Sequence, residues 1–93
     1  AAANPTSPDT AAWVFYMRKE YTMAQLYIEM AINNEEQPTS ELFEHYGYIL
    51  LANGDKQKAL EQWRKAIELK PDNEQLVKQI EKISNENENE NEN

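Results

Sequence analysis

Cysteine is absent from this 93-residue chain, so neither a disulfide nor a thiolate metal site can form. That absence leaves the compartment open, because cysteine-free chains occur in reducing and oxidising surroundings alike. Basic residues are scarce: 9 Lys and Arg stand against 17 Asp and Glu, a net charge of −8. A surface of that sign repels phosphate and excludes nucleic acid as an expected partner. No apolar run approaches the ~20 residues of a membrane-spanning helix, and no basic amphipathic stretch suits an anionic bilayer surface. Glycine occurs twice, at Gly47 and Gly54, too rarely for a phosphate-cradling loop. There is one histidine, His45, and three serines, Ser7, Ser40 and Ser84, all near expected helix ends where capping accounts for them. No Ser–His–Asp order and no metal-ligand spacing emerges, so no catalytic residue, metal or cofactor is expected. Residues 1–4 have neither a charged start nor an apolar segment, so no secretory leader is expected there. The missing initiating Met reads as processing or as excision from a longer chain.

What is present is helical periodicity, broken by four prolines. Ser7-Pro8-Asp9 combines an N-cap, a proline at the first helical position and an acid in the first turn, with Ala12, Val14 and Phe15 following. Ala24, Ile28, Ala31 and Ile32 mark a second helix. Pro38-Thr39-Ser40-Glu41 opens a third, carrying Phe43, Tyr46, Gly47 and Leu50. Asn53-Gly54-Asp55 closes it and caps a fourth, which holds Ala59, Leu60, Trp63, Ala66 and Ile67. After Lys70-Pro71, Asp72 with Gln75 opens a fifth, whose apolar face is Leu76, Ile80 and Ile83. From residue 85 to residue 93 the chain alternates Asn and Glu, with nothing to bury; disorder is expected there, as a solubilising acidic tail. Residues 1–85 carry 13 acids against 9 bases, so the body is mildly acidic and the tail strongly so.

The helices repeat. Ala12 and Gly47, Phe15 and Leu50, Ala24 and Ala59, Ile28 and Trp63, and Ala31 and Ala66 are each 35 residues apart. Small residues recur at matched places because an antiparallel helix pair approaches closely only where one helix offers Ala or Gly to the other's bulk. Residues 40–73 resemble the tetratricopeptide repeat (TPR). Phe43, Tyr46-Gly47, Leu50, Gly54-Asp55, Ala59, Trp63, Ala66 and Pro71 fall at its signature positions, and His45-Tyr46-Gly47 with Trp63 and Ala66 is similar to bacterial versions. Such versions often place an acid where this chain has Tyr48. A first unit at about 5–38 fits less closely, with Ala12 for the glycine and Lys19 for the turn glycine. The expected fold is therefore all-α: an α-solenoid of two helix-turn-helix units and a capping helix at about 73–84, forming one domain over 1–84.

The resemblance implies a non-enzymatic protein-binding module, with the first helix of each pair lining a concave face. Carried over by position, that face holds Asp9, Trp13, Tyr16 and Met17 in the first unit, and Glu41, Glu44, His45, Tyr48, Leu51 and Ala52 in the second. Acids and aromatics occupy the places where some TPR domains clamp a carboxylate, so a basic or apolar peptide segment is the expected partner. Ala12, Ala24, Ala31, Gly47, Ala59, Trp63 and Ala66 are expected in the core. Two repeats are fewer than the ~3 that usually bury a continuous core. Trp13-Val14-Phe15 at an uncapped N-terminal face is thus expected either to meet further repeats or to pair with a second copy as a homodimer.

Overall fold

The computed structural model describes the backbone of residues 8–92 and the side chains of residues 8–86. The expected N-cap Ser7 lies outside the described residues. Five helices follow one another: α1 (Pro8–Met17), α2 (Tyr21–Asn33), α3 (Ser40–Ala52), α4 (Lys56–Leu69) and α5 (Glu74–Glu92). There is no strand among the described residues, and the fold is an all-α helical repeat. Neighbours in sequence are neighbours in space: α1 packs on α2, α2 on α3, α3 on α4 and α4 on α5.

Local chemistry sets the helix ends. The Thr39 hydroxyl accepts from the Leu42 amide at 3.3 Å and caps α3, while the Asp55 carboxylate accepts from the Lys58 amide at 3.2 Å and caps α4. For α5 the cap is Asn73, whose Oδ1 accepts from the Leu76 amide at 3.2 Å. This corrects the assignment of that start to Asp72. The Asp72 carbonyl is used in the preceding turn, where it accepts from the Glu74 amide at 2.9 Å.

The turns inside the two helix pairs share one hydrogen-bond pattern. After α3, the Asp55 amide donates to the Leu50 carbonyl at 2.9 Å and the Gly54 amide to that of Leu51 at 3.0 Å. After α1, the Glu20 amide donates to the Phe15 carbonyl and the Lys19 amide to that of Tyr16, both at 2.9 Å. These are Schellman closures, which need a left-handed residue just past the helix. Gly54 supplies it with φ 89°, and Lys19 adopts it with φ 64°.

The core lies along the inner faces of the pairs. Ala12, Ala24, Ala31, Gly47, Ala59, Trp63 and Ala66 are all buried. A methyl group on Gly47 would collide with the indole of Trp63, so the glycine is what lets α4 bring its largest side chain against α3. In the first pair the same two places hold Ala12 and Ile28, a larger residue opposite a smaller bulk.

The Asn/Glu segment departs from expectation, because α5 continues as helix through Glu92. Leu76, Ile80 and Ile83 hold its first turns against α4, and a helix already nucleated extends at little cost. A spacing of two, which would line every acid on one face of a strand, places successive glutamates about 200° apart around a helix.

Candidate partner-binding face

The first helices of the pairs, α1 and α3, bring Asp9, Trp13, Tyr16, Glu41 and His45 of the sequence-selected residues together. Trp13 stacks with Tyr16 one turn along α1, at 4.7 Å between centroids and 17° between planes. It also stacks with His45 across the boundary between the pairs, at 4.3 Å and 21°. Tyr16 in turn meets Tyr21 at 5.7 Å in a tilted contact. An aromatic ladder therefore runs from the start of α2 across α1 to α3.

Carboxylates edge this ladder. His45 Nδ1 lies 3.0 Å from Asp9 Oδ1, and Nε2 lies 3.9 Å from Glu41 Oε1. Asp9, Glu41 and His45 each place one potential metal-ligand atom within 4.8 Å of the others. The two acids flank opposite ring nitrogens, so they border the ring on two edges. Glu44 faces elsewhere: its Oε1 accepts from Asn73 Nδ2 at 3.1 Å, and its carbonyl accepts from Trp63 Nε1 at 3.1 Å. Glu44 thus ties α3 to the start of α5 and anchors the buried indole.

Tyr48 is half-buried and meets Trp63 edge-on at 5.1 Å. Burial, then the Glu44 charge, holds its phenol above the ordinary tyrosine value. Burial, with a smaller contribution from Tyr21, does the same for Tyr16. Leu51 is half-buried between the two core clusters, Ala52 is exposed, and Met17 is among the most exposed apolar side chains of the described residues.

The expected open run Trp13-Val14-Phe15 is corrected in part. Phe15 turns inward and stacks with Tyr27 of α2 at 5.3 Å, and Trp13 is covered by its ring partners. Val14 alone of the three is exposed. The reason is helical: at 100° per residue, three consecutive side chains cannot share a face. The link from Asp9 to His45 went unseen in the sequence. The repeat register offers a signal for it, since Asp9 matches Glu44, the residue before His45.

Residues 40–73, the span of α3, α4 and the turn leading into α5, match the tetratricopeptide repeat family. That span is a tetratricopeptide repeat. No curated protein and no solved structure gives a significant match to the chain. Tetratricopeptide repeats generally mediate protein–protein interaction, and the family is typically non-enzymatic. In the matched repeat the small Gly47 and bulky Trp63 interlock, Gly54 makes the turn and Asp55 caps the second helix. The pair α1–α2 repeats that arrangement 35 residues earlier, with Ala12, Ile28, Lys19 and Glu20 at the corresponding places. No helix among the described residues is long and apolar enough to cross a membrane.

Proposed function

We propose that the chain is a non-catalytic module that holds a basic peptide segment of a partner protein across the face formed by α1 and α3. The observation that carries this reading is the Tyr16–Trp13–His45 stack bordered by Asp9 and Glu41. Stacked rings give a rigid surface that loses little entropy on binding, and a carboxylate at its edge selects a Lys or Arg partner. Removing Lys and Arg from this face also removes the means of clamping a peptide's terminal carboxylate.

Isothermal titration with synthetic decapeptides tests the reading. A Lys/Arg-rich peptide is expected to bind, more weakly as NaCl rises, and to lose about two- to fivefold in affinity with Glu41→Gln, the loss of one exposed charge contact. Tyr16→Ala should weaken binding of both the basic peptide and an apolar one. Preference for an acidic peptide, or indifference of every peptide to these changes, would overturn the assignment.

A further inference from the structure

The outward side of α2 differs in kind from that of α4. Met23, Leu26 and Met30 stand 38%, 51% and 43% exposed. The residues 35 positions on are Lys58, Glu61 and Lys65, so the repeat itself does not call for apolar side chains there. The spacing of three then four is that of a coiled-coil seam. Glu29 is the only charge on the whole of α2, and it is engaged by the Tyr46 hydroxyl at 2.7 Å and by Gln25 at 3.1 Å. The exposed positions of α2 are Thr22, Met23, Leu26, Met30 and Asn33, all uncharged. In a chain of net charge −8, the exposed positions of this side carry no acid, and the one carboxylate at its edge, Glu29, is already held by Tyr46 and Gln25.

The ends of α2 differ in charge. Arg18 and Lys19, the only bases before residue 56, precede it with Glu20, which pairs with Arg18 at 3.0 Å and leaves that end net basic, and Glu35 and Glu36 follow it. We propose that the α2 face is a self-association surface, pairing with α2 of a second copy in antiparallel, two-fold fashion. In that register Met23 of one copy lies opposite Met30 of the other, and Leu26 sits beside the symmetry axis. Each basic turn Arg18-Lys19 then approaches the other copy's Glu35-Glu36 loop. An isologous contact makes every such pairing occur twice. Methionines suit the seam because their flexible, polarisable side chains adapt to one another. A parallel pairing would set like charges together at both ends. This surface lies apart from the α1/α3 face, so the inference does not depend on the peptide-binding reading.

Light scattering after size-exclusion chromatography across a dilution series is the test. The wild-type mass is expected to rise from 10.9 kDa toward twice that value as concentration increases. The variant Met23→Lys/Leu26→Glu/Met30→Lys copies the second pair's surface and is expected to stay monomeric. Leu26→Glu alone, at an exposed position, should weaken association at least tenfold, and circular dichroism of both variants should match the wild type. Arg18→Glu should weaken the dimer, and adding Glu35→Arg to it should restore it. A wild-type mass that stays at one chain up to about 1 mM, where even weak contacts register, would overturn the proposal. So would a folded triple variant that associates like the wild type. A charge exchange without effect would overturn the antiparallel register.

Discussion

Tyr46 joins the two helix pairs through a single hydroxyl. Its ring is buried, and its OH donates to Glu29 Oε2 at 2.7 Å. Burial, followed by that hydrogen bond and the Glu29 charge, holds the phenol far above its ordinary value of 10.0. The unfolded chain therefore releases this proton at lower pH than the folded one. Stability should stay level up to about pH 10 and fall beyond it, because the unfolded state then binds fewer protons. Tyr16 and Tyr48, raised mainly by burial, act in the same direction. Urea unfolding followed by circular dichroism at pH 7 and pH 10.5 should show this loss. Tyr46→Phe should cost about 1–2 kcal/mol at pH 7, where it removes a hydrogen bond to a charged acceptor. It should also make the alkaline loss shallower than in the wild type. A slope unchanged by the substitution would mean that Tyr46 does not carry the effect.

At the scale of the element, the two intra-pair turns are the same device built with different residues. Gly54 takes the left-handed conformation freely and Asp55 caps the helix that follows. The first turn puts Lys19 in that conformation, and Glu20 makes no capping hydrogen bond, its carboxylate meeting Arg18 Nε at 3.0 Å instead. A left-handed non-glycine residue costs about 1 kcal/mol. Lys19→Gly should therefore stabilise the protein by roughly 0.5–1 kcal/mol, and Gly54→Ala should destabilise it by about 1 kcal/mol. Thermal melts of the two variants should move in opposite directions, by about 4–8 °C per kcal/mol for a chain of this size. Much of this was legible in the sequence. The Gly54-Asp55 turn, the Thr39 and Pro38 start and the spacing of small residues are local signals, fixed by φ/ψ demands that only a few residue types meet. The start of α5 was less legible, because Asp72 and Asn73 are both good caps and only the course of the preceding turn separates them. The α1/α3 face follows the same division. The repeat resemblance grouped Trp13, Tyr16, Glu41 and His45, whereas the pairing of Asp9 with His45 and of Asn73 with Glu44 depends on how one helix layer rotates against the next. Sequence spacing carries no measure of that rotation.

Across the whole molecule, two core clusters meet at Leu51, one filling the first pair and its junction with α3, the other lying between α4 and α5. α3 belongs to both, so it is the element through which the ends of the chain are coupled. The two tryptophans fall on opposite sides of this division. Trp63 is fully buried in the second cluster, while Trp13 is half-buried against His45. The protein thereby carries two optical reporters of different events. With Trp13→Phe, emission from Trp63 should stay blue-shifted until the fold is lost. With Trp63→Phe, the remaining indole, stacked between Tyr16 and His45, should change in brightness when a basic peptide seats on the α1/α3 face. One chain can thus be read by colour for its integrity and by brightness for the state of its α1/α3 face.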